Sequence, residues 1–247
     1  PTHVNPVLRG ISDDVWSFLY DSDRRIYQLF TRRVPNIPRD ISLYESVDLV
    51  NWEDKGRVLV GGDEVDLPEM YNLHGMYPFF YEDFCLGLLE TMYYVPGAET
   101  YSAHNRPPKD WPFKNLGRVD IQLSYSRDGQ KWHRPKDRSA LLGIGQPGEP
   151  DAGMVFSTRN GPIVINGETW IYYVAVIWPH TWWAQLEYFE RDKGVLRNQS
   201  CYMLAKMPED HWVSLDAGDQ EGSLVCKPWG PPHEVFVNAD AEGGSVE

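Results

Sequence analysis

Ser124-Tyr125-Ser126-Arg127-Asp128-Gly129-Gln130-Lys131-Trp132 is a short predicted strand that runs into an Asp-Gly turn and ends in a tryptophan. Residues 44–52 carry the same small residue, acid and terminal tryptophan, and residues 203–212 repeat them more loosely. The tryptophans of the three stretches follow one another at intervals of 80 residues. A fixed period built of strands and turns is typical of a repeat architecture, and the β-propeller blade is the commonest such unit. Three unrelated surface hairpins are the alternative.

The hydrophobic pattern predicts strands in three successive groups, each bounded by turn-forming residues. The first group comprises 15–20, 26–31, 41–45 and 57–60, the second 76–81, 85–94 and 119–125, and the third a segment from 154, 162–165, 169–176 and 200–205. Helical periodicity is weak everywhere, with 182–189 the one candidate segment. The sequence therefore predicts an all-β fold of the five-bladed propeller type, with about three blades in this chain.

We assign residues 1–212 to the propeller blades and 213–247 to the start of a β-sandwich-like module, because the segments after Trp212 resemble short strands of a different kind of module. Propellers typically close with about four to eight blades, and three cannot form a ring. We therefore expect either missing N- and C-terminal segments or an oligomer that supplies the remaining surface.

Charge and composition narrow the class of partner. The net charge of −13 and the pI near 4.9 argue against nucleic acid, which requires a basic surface. No apolar run approaches the roughly 18 residues of a membrane span, so no membrane partner is expected. The acidity suits enzymes inside and outside the cell, with a secreted or periplasmic location slightly favoured. Of the three cysteines, which have no metal-binding spacing, Cys85 is predicted to be a buried thiol.

Four motifs together resemble a group of largely uncharacterised bacterial proteins, similar to the five-bladed propeller glycosidases of glycoside hydrolase families 32, 43, 68 and 130. The motifs are residues 123–132, 150–154, 161–164 and 213–218. The resemblance implies two further blades upstream of Pro1, a sandwich continued beyond Glu247, and a carbohydrate substrate. The Asn-Asp-Pro-Asn, Arg-Asp-Pro and Glu-Cys signatures of the fructosidases do not occur in this sequence.

Three polar residues precede the first strand of each predicted blade. Asp14 precedes Val-Trp-Ser, His74 precedes Gly-Met-Tyr, and Asp151 precedes Ala-Gly-Met. Because the innermost strands of a propeller converge on one axis, we expect these side chains to face a common pocket. Glycoside cleavage commonly uses two carboxyl groups that flank the glycosidic oxygen, a role that Asp14 and Asp151 would fill. Glu69 is the reserve carboxylate, and His74 would orient the substrate or tune a carboxyl pKa.

The competing interpretation is that both aspartates begin turns and that His74 is structural. Further candidates have similar alternatives. Tyr71 is placed to bind substrate, and the insertion containing His180, Trp182 and Trp183 is either a stacking platform for sugar rings or a hydrophobic plug.

Asp120, at a strand start, and Glu90, within an apolar strand, are further notable carboxylates. Glu90 is either a partly desolvated acid with a raised pKa or a residue of the strand's polar face. No cofactor is expected, although Asp219, Glu221 and Asp240 are candidate calcium ligands.

The leading hypothesis is a glycoside hydrolase that acts on an oligosaccharide or polysaccharide in the central pocket of the propeller. The alternative is a non-catalytic carbohydrate-binding propeller that keeps the aromatic platform. A third hypothesis is a structural subunit that pairs an exposed blade edge with another chain.

Overall fold

Twelve β-strands carry the regular structure of the residues that the computed structural model describes, and none of those residues is helical. The described residues are 5–33, 39–66, 72–93, 117–146, 148–177, 200–218, 220–226, 230, 234, 237–240 and 245, without the side chains of residues 12–14. The strands are β1 Ile11–Asp21, β2 Ile26–Arg33, β3 Ile41–Ser46, β4 Glu53–Leu59, β5 Asn72–Tyr81, β6 Phe84–Met92, β7 Val119–Ser126, β8 Ala140–Leu142, β9 Met154–Ser157, β10 Ile163–Ile165, β11 Glu168–Val176 and β12 Ser200–Pro208. The all-β prediction is confirmed.

The first group of strands forms an antiparallel sheet in the order β1-β2-β3-β4, as expected of a propeller blade. From Val15 to Tyr20 on β1 the more buried and the more exposed side chains alternate, because successive residues of a strand point to opposite faces. Val15 and Ser17 are buried, whereas Trp16, Phe18 and Tyr20 are about half exposed. One face of this sheet therefore packs inside the protein.

The second and third groups are joined in one eight-stranded sheet. Strands β5, β6, β7 and β8 pair in sequence order and form the second blade. Both β9 and β10 pair with β11 along one edge, at different heights, while β12 pairs with the whole length of the other edge. The inner strand of the third blade is thus broken in two. A single parallel pair, Val119 with Met154, connects this blade to β7.

The core between the first and second blades is built from the inward faces of both sheets. It contains nine buried apolar residues: Phe30, Ile41, Leu43, Leu59, Leu73, Met76, Cys85, Leu89 and Trp132. The hydroxyl of Ser17 on β1 donates a hydrogen bond of 2.7 Å to the carbonyl of Met76 on β5, so the inner strands of the two blades are fixed to each other. The buried thiol predicted at Cys85 is confirmed.

The turn that ends in Trp132 is held by its own side chains. The Ser126 hydroxyl accepts the amides of Asp128 and Gly129, and Asp128 Oδ1 accepts the amides two and three residues further on. These bonds, the amide of Lys131 first, lower the pKa of the Asp128 carboxyl. The indole of Trp132 donates to the carbonyl of Gly129 at 3.0 Å.

The same arrangement recurs 80 residues earlier. Ser46 and Asp48 make the equivalent bonds, and the indole of Trp52 donates to the carbonyl of Leu49. Leu49 has a φ of 62° where Gly129 has 69°, so the loop imposes a left-handed residue whether or not glycine is present. The first two copies of the repeat therefore adopt the same turn structure.

The third copy differs. Asp210 has a φ of 66°, and its carboxylate accepts the Tyr81 hydroxyl instead of the amides of its own turn. The looser match of residues 203–212 to the other copies corresponds to a different turn.

The structure divides into two compact units, residues 1–210 and 211–247. The described residues of the second unit form no strand, so a sandwich-like module there stays a prediction. Among the residues that the structure describes, no helix has the length and apolar character that a membrane crossing requires.

Candidate active site

His74 occupies an irregularity at the beginning of β5. The pairing register of β5 with β6 shifts between Leu73 and Gly75, so His74 has no direct partner on β6. Bulges of this kind re-aim side chains and are common beside active sites. The imidazole Nδ1 lies 2.7 Å from Glu90 Oε2 on β6, and both side chains are buried. Because a carboxylate only accepts, Nδ1 carries the proton of this bond and the ring orientation is fixed.

Glu90 is 1% exposed, so its side chain is buried and does not lie on a solvent-exposed face of its strand. Its second oxygen, Oε1, accepts the backbone amide of Ser157 at 2.9 Å. The neighbouring ring of Phe156 contacts the His74 imidazole, with centroids 5.2 Å apart. Glu90 therefore ties the second blade to the inner strand of the third while it orients His74.

Strand β1, the inner strand of the first blade, also approaches the His74–Glu90 pair. A Cβ at Gly75 would lie only 2.7 Å from Val15 Cγ1 and 3.2 Å from Glu90 Oε2, so the absence of a side chain allows this close approach. Val15 follows Asp14, whose backbone lies in β1 and whose side chain is outside the described part of the structure. The structure thus brings the Val15 side chain, next to the Asp14 position, close to the His74–Glu90 pair.

Asp151 lies in the turn that precedes β9 and is half-buried. The hydroxyl of Tyr173 on β11 donates to Asp151 Oδ2 at 3.1 Å, and the Asp151 carbonyl accepts the amide of Gly145. Burial, followed by the charge of Asp151, raises the pKa of Tyr173 to about 12. Tyr173 therefore stays protonated at neutral pH and holds the carboxylate by a hydrogen bond.

A second buried polar cluster lies at the same end of the second blade. The Tyr93 hydroxyl donates to Asp120 Oδ2 at 2.7 Å and accepts the side-chain amide of Gln122 at 3.2 Å. Arg134 donates to Gln122 and to both oxygens of Asp66, so the cluster joins the second blade to the segment that follows β4. Burial raises the pKa of Asp120 to about 6.

Several predicted site residues lie outside the described residues. They are Glu69, Tyr71, His180, Trp182 and Trp183, together with the side chain of Asp14. Their proposed roles remain predictions. Within the described residues, no group of three or more His, Cys, Asp or Glu side chains could hold a metal ion, and the candidate calcium ligand Asp219 is not among those residues.

Sequence reasoning did not identify the buried partners of this region. Tyr93 was not assigned to a site, Asp120 was noted without a partner, and Glu90 was not connected to His74. The available signal was the presence of acids at 90 and 120 inside strands that are otherwise apolar, since a buried carboxylate requires a partner.

Comparisons with known proteins identify the architecture. No protein-family model matches the sequence, and a search of curated proteins found no match. Among solved structures, a thermostable family-43 glycoside hydrolase is 18% identical with a TM-score of 0.50, covering 87% of this chain and 54% of that chain.

Two other structures are similar over a smaller part of the chain. The β-1,2-mannobiose phosphorylase of Listeria innocua is 19% identical (TM-score 0.41, 65% of this chain and 35% of that chain). A family 117 glycoside hydrolase of Zobellia galactanivorans is 14% identical (TM-score 0.46, 68% of this chain and 49% of that chain).

The chain spans from 35 to 54% of the length of these three structures. The family-43 structure supports the propeller interpretation of the repeated sheets. The chain therefore has a β-propeller-type fold similar to that of this family-43 glycoside hydrolase.

Proposed function

We propose that this protein is a carbohydrate-active enzyme that cleaves a glycosidic bond near the first residues of β1, β5 and β9. The observation that carries the proposal is the buried pair of His74 and Glu90, packed against Val15 at this position. A histidine fixed by a buried carboxylate is a device of acid–base chemistry, and the propeller fold is one on which glycoside hydrolases are built.

In this proposal the reacting carboxyl groups are Asp14 and Asp151, with Glu69 in reserve. One carboxyl group, in its protonated form, gives its proton to the leaving-group oxygen, while the other, as a carboxylate, acts as nucleophile or activates water. The hydroxyl of Tyr173 donates a hydrogen bond to Asp151 Oδ2 and so fixes the orientation of this carboxyl group. Asp14 and Asp151 share the acid role and the base or nucleophile role between them.

His74 is assigned to the substrate. His74, whose ring is held by Glu90, is proposed to orient the substrate. Tyr71, His180, Trp182 and Trp183 are proposed to supply stacking and further hydrogen bonds to the sugar rings.

The alternative of a non-catalytic carbohydrate-binding propeller is favoured by one observation. Both oxygens of Glu90 are already occupied, by His74 and by the Ser157 amide, so this acid orients its neighbours and does not itself protonate a leaving group. Among the described and proposed carboxyl groups, the reacting pair is then Asp14 and Asp151.

The test uses a panel of 4-nitrophenyl glycosides and the variants Asp14→Asn and Asp151→Asn. The enzyme proposal predicts release of nitrophenol by the parent protein, a loss of turnover of about 10²-fold or more in each variant, and retained binding. Binding of sugars without turnover by the parent would support the non-catalytic alternative. The absence of both binding and turnover would contradict the enzyme proposal and the alternative alike.

A further inference from the structure

The cross-strand pair of Thr91 on β6 and Asp120 on β7 contains two buried oxygens that lack a partner. The two residues lie directly opposite each other in the ladder, and their side chains are 0% and 5% exposed. Neither Thr91 Oγ1 nor Asp120 Oδ1 has a hydrogen-bond partner among the described residues. Buried polar atoms are almost always satisfied, so two adjacent exceptions point to a further group between them.

Leu73, Tyr93 and Arg118 border this position. Leu73 pairs with Thr91 on the third strand and is itself fully buried. Asp120 Oδ2 is already occupied by the Tyr93 hydroxyl, so Oδ1 is the oxygen left to accept a further donor. Arg118 lies nearby, with its guanidinium carbon 3.8 Å from the centroid of the Tyr93 ring and its buried Nε also without a partner among the described residues.

The spacing suits a small hydroxyl-bearing guest. Two hydrogen bonds of about 2.8 Å that meet at one oxygen span about 4.5 Å. Directly paired residues of an antiparallel ladder have Cβ atoms roughly 4.5 to 5.5 Å apart, so a single oxygen can bridge their side chains. A guest needs two to four polar partners. Thr91 provides a hydroxyl, Asp120 an acceptor oxygen and Arg118 a donor N–H.

We propose that Thr91 and Asp120 form an internal binding site for one hydroxyl group, supplied by a resident water molecule or by a bound sugar. The guest donates to Asp120 Oδ1 and shares a hydrogen bond with Thr91 Oγ1. A metal cation does not suit this position, because Arg118 and Arg134 both face the carboxyl group. The site does not depend on the proposed function, since the water source requires no enzymatic activity.

The site is connected to the seam between the first two blades. Asp120 is bound to Tyr93, Tyr93 to Gln122, Gln122 to Arg134 and Arg134 to Asp66, each by a hydrogen bond of 3.2 Å or less. Loss of the guest would leave one end of this network unsatisfied, and half-satisfied buried networks are strongly unfavourable.

The test is equilibrium unfolding in urea of Thr91→Val, a change of nearly equal volume that removes the hydroxyl. The control is Thr31→Val, because the buried Thr31 hydroxyl makes a known bond of 2.7 Å to the Val15 carbonyl. Without any sugar, a resident water predicts that Thr91→Val lowers the folding equilibrium constant about tenfold, as the control variant does. A dry and unpartnered hydroxyl predicts the opposite sign, because its removal relieves a desolvation cost.

A second arm separates the two sources of the hydroxyl. If Thr91→Val is neutral or stabilising without sugar but binds 4-nitrophenyl glycosides about tenfold more weakly than the parent, the guest is a sugar hydroxyl. A crystal structure of the parent chain provides the check that needs no variant. An ordered oxygen within about 3.2 Å of both Thr91 Oγ1 and Asp120 Oδ1 supports the site, whereas dry oxygens in both the sugar-free and sugar-soaked crystals would overturn it.

Discussion

His74 Nδ1 and Glu90 Oε2 lie 2.7 Å apart across strands β5 and β6, and both side chains are buried. The bulge at His74 turns its ring toward the carboxylate of the neighbouring strand, and the Ser157 amide holds the other oxygen. A residue from each of two blades therefore fixes Glu90, and Glu90 fixes the imidazole. This relationship is the basis of the first prediction.

Replacement of Glu90 by Gln is expected to reduce turnover of a cleaved glycoside by about 10²-fold or more. The amide of Gln can still accept the Ser157 N–H, but its NH₂ group would face His74 Nδ1 and force the proton to Nε2. Nitrogen NMR of the His74 ring measures this change of tautomer independently of activity. Unchanged turnover together with an unchanged tautomer would refute the positioning role.

Glu45→Gln is the matched control for Glu90→Gln. Glu45 is also a buried carboxylate, but it lies on β3, where Arg24 and Gln28 bind it and no site residue is proposed. We expect Glu45→Gln to reduce stability while turnover and the His74 tautomer are unchanged.

Asp120→Asn is expected to stabilise the protein at neutral pH and to have little effect in acid. The folded pKa of Asp120 is raised to about 6 from an ordinary 3.8, so folding favours its protonated form. The stability that this group contributes is fully present below about pH 4 and is lost as the pH rises through about 6. A shift of about two pKa units corresponds to about 3 kcal/mol, which Asn would recover at pH 7 to 8.

Unfolding free energies of the parent and Asp120→Asn between pH 3.5 and 8 check this expectation. Asp128→Asn serves as a control of opposite sign, because hydrogen bonds lower the pKa of Asp128 and its contribution to stability is lost as the pH falls. A difference between Asp120→Asn and the parent that does not change with pH would contradict the assignment.

Trp132→Ala and Trp52→Ala compare the two copies of one turn. Each indole donates a hydrogen bond within its own copy of the turn. Trp132 is 5% exposed and packs edge-to-face on Phe30, whereas Trp52 is partly exposed. Loss of a buried tryptophan costs about 3 to 5 kcal/mol, so urea unfolding should show a large loss for Trp132→Ala and a clearly smaller one for Trp52→Ala. Equal losses would show that the loop hydrogen bonds, and not burial, dominate.

Asp66→Asn is expected to destabilise the seam between the first two blades by about 3 to 5 kcal/mol. The Asp66 side chain is fully buried and binds both Arg134 and Arg138, and removal of its charge leaves two guanidinium groups with weaker partners. Asp63→Asn is the control, because Asp63 is half exposed and, of the two arginines, pairs only with Arg138. Loss of the Asp63 charge should therefore cost at most about 1 kcal/mol. Comparable losses in thermal unfolding would contradict the buried role of Asp66.

The fold was largely predictable from the sequence because alternation and turn chemistry are local signals. The strands predicted at 26–31 and 169–176 correspond to Ile26–Arg33 and Glu168–Val176, and the repeated turn was recognised from its Ser, Asp and Trp residues. The break between β9 and β10 was not predicted, because both segments pair with β11 and only tertiary pairing makes them one edge.

The candidate site was less predictable. The place of His74 at the start of an inner strand followed from the repeat, but its bond to Glu90 depends on a bulge that has no sequence signal. The pair of Thr91 and Asp120 depends likewise on strand register, which fixes two residues far apart in the chain directly opposite each other. Such contacts are properties of the ladder and not of either segment alone.

The central claim is that Asp14 and Asp151 flank one glycosidic bond. It is tested most directly by the distance between their carboxyl groups in a crystal structure of the protein with a bound, uncleaved thioglycoside. The account predicts that the sulfur lies between the two groups, at a separation of roughly 5 to 5.5 Å for a retaining reaction or roughly 6.5 to 9.5 Å for an inverting one. A separation clearly above about 10 Å, or a sugar bound away from both residues, would contradict it.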